Sequence, residues 1–431
     1  MADPGLRVVF LAHAFPRHER DLAGGFLLRL AVALRDEGVE VTAVAPAAPG
    51  LAASEWLAGI AVRRYRYAPR RAERLAYAGE MHRRAASPGG APALLGLLGA
   101  GALAARSAGR GADLLHAHWW FPGGVQALAA RTGLPLVTTL HGTDVRLARS
   151  RPAARAACAL VLRRSAAVTT VSGWLASQAA AIAPGPAGPP RVAPMPVDDH
   201  AFHPGSGQRP RDELLFVGRL DAQKGADVAL RALAELRGPA AALPLRVVGA
   251  GPLLPGLRRL ADELGIAGRL RWEGQLPQAE LADRYRRAVA LLVPGQHEGL
   301  GLAAVEAQLS ATPVVAAASG GLLDVVADGR TGRTFPPGQP AALARAVEAV
   351  VADPATAARL AEAARRSAAA RFTPQAAART YAEIYAAALQ ARRPRRQQTT
   401  PSRPRPSTAT PRHPGDPRHE QGRPGPPTAR L

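Results

Sequence analysis

The 431-residue chain predicts an α/β protein made of two doubly wound, Rossmann-like domains facing a central cleft. Three observations carry that prediction. Short apolar runs alternate with Ala/Leu/Arg-rich stretches long enough to be helices. One Pro/Gly-rich segment interrupts this pattern near the middle of the chain. The alternation then restarts and continues to residue 373.

In the first half, Arg7–Ala12, Glu40–Ala45, Asp113–His116, Leu136–Thr139 and Ala167–Val171 read as strands, and Gly25–Glu37 as a helix. These runs are mostly apolar rather than strictly alternating, which suits strands buried on both faces of a parallel sheet. Eight prolines, counting Pro210, fall from Ile182 to Pro210 and mark an interdomain linker. Beyond it, Glu213–Val217, Leu245–Val248, Arg269–Trp272, Ala290–Val293 and Val314–Ala317 are expected strands. Ala226–Leu236, Gly256–Glu263 and Leu302–Ser310 are expected helices, and a last helix runs over Pro374–Gln390. The organisation is therefore a first domain over 1–190, a linker over 191–211, a second domain over 212–373, a helix over 374–390 and a tail over 391–431.

Composition sets further bounds. Of 55 basic residues one is lysine, Lys224; asparagine is absent, and the isoleucines are Ile60, Ile182, Ile266 and Ile384. Lys, Asn and Ile share A/T-rich codons, so a high-GC genome explains all three depletions. A lone lysine beside Arg219 then suggests a place where a compact, strongly hydrated ammonium does what a planar guanidinium does not. The net charge is +22, and the tail contributes ten arginines and ten prolines against Asp416 and Glu420. It has too little apolar surface to offset its ordering entropy and is expected to be disordered. Cys158 is single, which excludes an internal disulfide and fits a reducing, cytoplasmic compartment. No secretory pattern opens the chain. The uncharged stretches Arg84–Arg106 and Arg164–Arg191 are broken by Pro, Gly or polar residues and fall short of the ~20 apolar residues of a spanning helix. A soluble or peripheral protein is expected, with the inner face of the membrane as an alternative station.

The richest cluster is Pro294-Gly-Gln-His-Glu298-Gly299-Leu300-Gly301-Leu-Ala-Ala-Val-Glu306. A strand ends at Val293 and a helix begins near Leu302, so unpaired N–H groups and the positive end of the helix dipole form an anion site. Glu298 in the loop can accept hydroxyl hydrogen bonds from a polyol. Glu306 lies about two helical turns further on, too far for an acid–base dyad. The two carboxylates read as hydroxyl-binding posts around a phosphate site, or, more plainly, as a helix-start Glu and a solvated Glu. Phe216-Val-Gly218-Arg219-Leu-Asp-Ala-Gln-Lys224-Gly225 brings two cations to another strand end, enough to neutralise a leaving diphosphate without a metal. No Asp-x-Asp in a strand-end loop and no His/Cys ligand spacing suggests a bound metal or a resident cofactor. Gly249-Ala-Gly251-Pro252 lacks the full dinucleotide spacing. In the first domain, Gly24-Gly25 opens a helix as a phosphate-approach loop. His141 ends a strand in Thr138-Thr-Leu-His141-Gly-Thr-Asp144, either as a structural histidine or as a substrate contact. His116 and His118, beside Trp119 and Trp120, stand between packing and acceptor binding.

Together these residues resemble the retaining enzymes of glycosyltransferase family 4, of GT-B fold. The similarity covers Leu6 to Gln390 and rests on Glu298-x7-Glu306 combined with Gly218-Arg219…Lys224-Gly225. It implies an acceptor-binding first domain and a nucleotide-sugar-binding second domain. It also implies that Arg219 and Lys224 hold the donor diphosphate, and that Glu298 with the amides of Gly299, Leu300 and Gly301 holds the sugar and distal phosphate. Glu306 would hold the ribose, His141 would lie near the transferred sugar, and Val248-Gly249 to Leu253 would line the base pocket. Three positions depart from the family pattern: Leu300 stands where Phe is usual, Pro294-Gly295 replaces Pro-Ser, and Asp324 takes a place often filled by Glu.

The expected activity is metal-independent transfer of a hexose-type sugar from a nucleotide diphosphate sugar to an acceptor hydroxyl, with retention. The acceptor class stays open: a glycan, a lipid-linked sugar or a small molecule. Competing readings are a GT-B-like sugar-nucleotide epimerase or phosphorylase, and a non-catalytic polyanion-binding protein; specific nucleic-acid recognition is not expected. Arg63, Arg64, Arg66, Arg70, Arg71 and Arg74 interleave with Tyr65, Tyr67 and Tyr77 ahead of the apolar stretch Leu94–Leu103. That segment reads either as an anionic-lipid contact or as a solvated arginine face.

Overall fold

Two sheets, with eight and six strands, organise the chain. The structure is a computed structural model and describes residues 5–19, 21, 23–77, 81–85, 87, 89–185, 188–205 and 211–392. The tail expected to be disordered lies, from residue 393 onward, outside the described residues.

The first domain contains strands β1 (Arg7–Leu11), β2 (Glu40–Pro46), β3 (Ser54–Leu57), β4 (Ile60–Tyr65), β5 (Leu114–His118), β6 (Leu136–Leu140), β7 (Ala167–Thr170) and β8 (Arg191–Val192). Its helices are α1 (Gly25–Asp36), α2 (Met81–Ala85), α3 (Gly90–Gly109), α4 (Val125–Ala130), α5 (Thr143–Ser150), α6 (Pro152–Arg164) and α7 (Gly173–Ala180). The sheet order is β3-β4-β2-β1-β5-β6-β7-β8. All pairings are parallel except β3–β4, an edge hairpin closed by Ala58-Gly59 with both residues at positive φ, as a two-residue hairpin turn requires. β8 lies within the stretch read as linker and completes this sheet.

The second domain contains β9 (Glu213–Val217), β10 (Leu245–Val248), β11 (Leu270–Gly274), β12 (Ala288–Val293), β13 (Val314–Ala317) and β14 (Arg333–Phe335), in the order β11-β10-β9-β12-β13-β14, all parallel. Its helices are α8 (Ala226–Glu235), α9 (Leu254–Glu263), α10 (Gln278–Arg287), α11 (Leu302–Leu309), α12 (Leu322–Val325), α13 (Pro340–Ala352) and α14 (Pro354–Arg371). In each sheet the strand order reverses between two adjacent strands, β1/β5 and β9/β12. The loops at the carboxyl ends of such strands form the ligand crevice of open α/β sheets.

The last helix, α15 (Pro374–Arg392), packs on α1 of the first domain rather than on the second sheet it follows in sequence. Tyr385 Oη lies 2.7 Å from His116 Nδ1, and Tyr381 Oη lies 3.2 Å from Thr139 Oγ1 and donates to the Ala193 carbonyl at 3.2 Å. Both phenols are fully buried, so these partners are what make their burial tolerable. The interleaved Arg/Tyr segment also resolves into structure. Arg64 is buried, donating to Glu55, Tyr77 and the Pro16 carbonyl, and Tyr65 and Tyr67 sit in the core. Only Arg63, Arg66, Arg70, Arg71 and Arg74 remain exposed.

Candidate active site

The second domain supplies two loops that lock together. After β9 the chain turns at Gly218, whose N–H donates to the Val248 carbonyl at 3.0 Å, and reaches Lys224 through a turn in which Lys224 N–H donates to Asp221. After β12 the loop Pro294–Gly301 leads into α11. Lys224 Nζ sits 2.6 Å from Glu298 Oε1, the carboxylate being 8% exposed and the ammonium 31%. A small cavity between β9, β12 and α11 has Lys224, Glu298 and Gly301 in its wall. Arg219, in the loop after β9, pairs with Asp221 at 2.6 Å and is more than half exposed. Gly249 stacks its backbone on Gly218 and donates to the Gly274 carbonyl at 2.7 Å, linking three strand ends.

The start of α11 is shaped by backbone contacts. Gly301 precedes the helix in the left-handed region, and Leu300 buries its side chain while its amide stays in the loop. Gly320-Gly321, which the sequence reading passed over, support this loop: Gly321 N–H donates to the Glu298 carbonyl at 2.9 Å. A pair of glycines at the end of β13 was the available signal. Further along α11, Glu306 accepts from the Tyr285 hydroxyl at 2.8 Å. Burial pushes its carboxyl up to about 7 against the opposing pull of Tyr285, Arg29 and Lys224.

The first domain faces these loops with a wall of rings. Gly24 caps α1 with φ near 77°, and a Cβ there would lie 1.6 Å from the Ala14 carbonyl oxygen, so only glycine fits. Gly25 is the first residue of α1. Asp21 accepts from the Arg17 side chain at 2.6 and 3.1 Å and from the Arg17 and Ala23 amides, which ties down the approach to Gly24. His141 follows β6 in a loop organised by Asp144, whose Oδ1 accepts from the amides of His141, Gly142 and Val145. Burial raises the Asp144 carboxyl to about 6 against those bonds. The His141 ring lies 4.4 Å from Trp119 and 5.4 Å from Phe26, and its Nε2 is 3.3 Å from His118 Nδ1. His13 packs on Trp119 at 4.3 Å.

All four histidines here are neutral. Burial lowers His141 to about 3 and His13 to about 4, and holds His116 and His118 well below the usual range. The choice left open for His116 and His118 divides between them. His116 has both ring nitrogens satisfied, by Tyr385 and by Thr139 Oγ1 at 2.6 Å, and is a packed core residue. His118 reaches His141 and leaves Nε2 buried without a partner. Trp119 holds a left-handed φ of 69°, a strained conformation for a bulky residue and one that sites of function accumulate.

The backbones of the two walls come closest at Gly299. A Cβ on Gly299 would lie 2.4 Å from the His141 carbonyl oxygen, and one on Gly142 would lie 3.2 Å from Gly299 Cα. Around it, Arg146 donates to Gln223 at 2.9 Å and the Trp174 and His297 rings stack at 5.9 Å. Asp324 accepts from the Gly173 and Trp174 amides at 3.1 and 3.4 Å, so a second-domain carboxylate caps the first-domain helix α7. The fold thus brings His141, Gly299, Glu298 and Lys224 into one cleft, with Gly24 and Gly25 on the facing helix start and Arg219 exposed on the β9 loop that carries Lys224. Among the described residues no group of three or more His, Cys, Asp and Glu is arranged to hold a metal ion.

Comparison with known proteins agrees with this architecture. The family model Glycosyltransferase Family 4 matches residues 23–201, and the model Glycosyl transferases group 1 matches residues 202–367. The D-inositol 3-phosphate glycosyltransferase of Streptomyces coelicolor is 36% identical over 327 residues, covering 66% of this chain and 70% of that protein. The glycogen synthase of Mycobacterium tuberculosis is 33% identical over 296 residues, covering 65% of this chain and 70% of that protein. Among solved structures, sucrose-phosphate synthase from Thermosynechococcus elongatus superposes with a TM-score of 0.74 at 23% identity, over 90% of this chain and all of that one. Anabaena HepE in complex with UDP and glucose gives 0.67 at 18% identity, over 88% and 99%. Two parallel sheets meeting at a glycine-lined cleft, family models that tile both halves, and relatives above 30% identity lead to one conclusion: the chain is a GT-B glycosyltransferase of family 4.

Proposed function

We propose that the protein transfers a hexose-type sugar, with retention and without a metal, from a nucleotide diphosphate sugar to an acceptor hydroxyl. The observation that carries this reading is the Lys224–Glu298 pair, 2.6 Å apart beside the start of α11 and opposite the His141 loop. As the bond from the anomeric carbon to the diphosphate oxygen breaks, negative charge grows on the leaving group. Lys224, Arg219 and the free amides around Gly299–Leu302 meet that charge, and interactions that strengthen in the transition state are those that accelerate transfer. The acceptor oxygen bonds to the anomeric carbon on the same face, and its proton passes to the departing diphosphate. Glu298 accepts from sugar hydroxyls, Glu306 from the ribose, and neutral His141 lies beside the transferred sugar. Lys224 and Glu298 are already paired, so the donor inherits a pre-set ammonium and carboxylate.

The HepE complex holds UDP and glucose, which makes UDP-glucose the first donor to try. The relatives named for D-inositol 3-phosphate make that polyol the first soluble acceptor. The single buried Cys158 favours the cytoplasm as the site of action. The test is a screen of nucleotide sugars with and without acceptor, the product's anomeric configuration being read by NMR. An acceptor-dependent product of the donor's own configuration, lost in Lys224→Ala, supports the reading. A sugar nucleotide altered without acceptor, or a product of inverted configuration, overturns it.

A further inference from the structure

The helix α3 has a face that the fold does not use. It is the one helix among the described residues long and apolar enough to cross a bilayer by length and composition, yet only 33% of that stretch is buried. Its inner face, Ala93, Leu97, Gly101 and Ala105, packs on the sheet and α4, so the helix is fixed in the domain. Its outer face carries Leu95 and Leu103, 72% and 71% exposed, with exposed Gly99 between them. Positions 95, 99 and 103 advance about 40° per step and share one stripe.

The surroundings of that stripe are cationic. From Arg66 to Ala112 the sequence holds eight arginines and two acidic residues, Glu73 and Glu80. Glu73 is buried and bonded to Arg66 at 2.9 Å, so it offers no anion outward. Exposed Arg70, Arg71 and Arg74 follow Tyr67, whose carbonyl oxygen lies 2.1 Å from where a Cβ on Gly96 would be, which sets this segment directly against α3. Arg106 and Arg110 flank the other end.

We infer that the outer face of α3 with its bordering arginines docks on an anionic lipid bilayer. Leucines enter the acyl boundary while guanidinium groups meet lipid phosphates, a division that neither an aqueous surface nor a nucleic acid offers. A second copy of this chain carries the same net charge of +22, so long-range repulsion opposes its approach to this face. The orientation is informative. α3 precedes β5 and runs antiparallel to it, so its start, with Leu95, lies at the cleft end of the first sheet. Docking holds the protein at the surface where a lipid-linked acceptor is presented; that last step rests on the transferase reading above, and the docking does not.

The test places a single environment-sensitive fluorophore (NBD) on Leu95→Cys, Leu103→Cys or Leu160→Cys in the full chain; native Cys158 is fully buried. Leu160 is 51% exposed on α6 and serves as the control. With phosphatidylglycerol-containing vesicles, labels at 95 and 103 should blue-shift and brighten several-fold, with no change at 160 and none on phosphatidylcholine alone. Vesicle-bound protein with unchanged labels at 95 and 103, as binding through the arginine-rich tail alone would give, overturns the proposal. So does absence of vesicle binding, an equal response at 160, or a shift without vesicles that grows with protein concentration. Leu95→Asp/Leu103→Asp should retain nucleotide binding and lose the vesicle-dependent part of flotation. The readout needs no turnover, so failure of docking and failure of the transferase reading remain distinguishable.

Discussion

Lys224 Nζ and Glu298 Oε1, from loops that follow different strands, lie 2.6 Å apart and join the β9 and β12 loops of the second sheet. The pair makes the only lysine both a structural partner and a cation in the wall of the cavity beside α11. The two roles separate by substitution.

Lys224→Ala leaves a nearly buried carboxylate without its cation, at a cost of about 1–3 kcal/mol. Lys224→Ala/Glu298→Gln should recover most of that loss in a urea melt, because the orphaned charge is gone. Turnover should stay down by orders of magnitude in both variants. Recovery of activity along with stability would show that the lysine serves the fold alone. Lys224→Arg keeps the charge but not the compact ammonium, and a fall of about tenfold or more is expected.

Gly299→Ala tests the contact between the walls. The new methyl would sit 2.4 Å from the His141 carbonyl oxygen, so the domains must part for it to fit. Each domain should keep its own melting behaviour while kcat/KM falls by about 10²-fold, the cost of misplacing reacting groups by an ångström. X-ray scattering should report a larger radius of gyration. An unchanged radius with unchanged activity would remove the contact from the mechanism.

The proposed ribose contact of Glu306 predicts a pH dependence for donor binding. Burial pushes its carboxyl up to about 7, and only the ionised form accepts from both ribose hydroxyls. Nucleoside diphosphate affinity, measured by calorimetry, should therefore rise as pH increases through 7. In Glu306→Gln the affinity should be lower and flat over the same range. An equal slope in both proteins would assign the titration to another group.

The buried histidines predict acid sensitivity. His13 and His141 are lowered to about 4 and about 3, and His116 and His118 fall well below the usual 6.5, all chiefly through burial. Below pH 6.5 the unfolded chain takes up protons at these rings that the fold refuses, so stability falls as pH drops toward 4. Asp144 and Glu306 act in the opposite sense, since their raised carboxyls hold protons in the fold up to about 6 and about 7. Four rings against two carboxyls leave a net loss on acidification. The urea midpoint should be lower at pH 5 than at pH 7.5, and His13→Phe should reduce the difference.

Much of this molecule is legible before folding. Glu213–Val217, Leu245–Val248 and Val314–Ala317 are strands with the bounds expected of them, because a parallel strand covered on both faces is largely apolar, and the charged Glu213 and Arg246 pair with each other at 2.7 Å. The loop-to-helix element from Glu298 to Glu306 is equally local. Hidden from pattern were the β3–β4 hairpin, in which Arg63 faces out while Arg64 pairs with Glu55 inside, and the two-residue β8. The arginine–tyrosine segment misled in part, since Arg64 spends its charge on Glu55 inside the fold.

Residue periodicity and turn chemistry settle the two sheets, their order of appearance and the loops that end them, because those depend on neighbours a few positions apart. Packing decides what meets across the cleft. Asp324 with the start of α7 and Gly299 with the His141 carbonyl join distant positions across it, and within the first domain His118 meets His141 and Tyr385 of α15 meets His116. No local preference encodes such pairs. They arise when two buried surfaces find the one arrangement that leaves their polar groups partnered and their backbones close enough to touch.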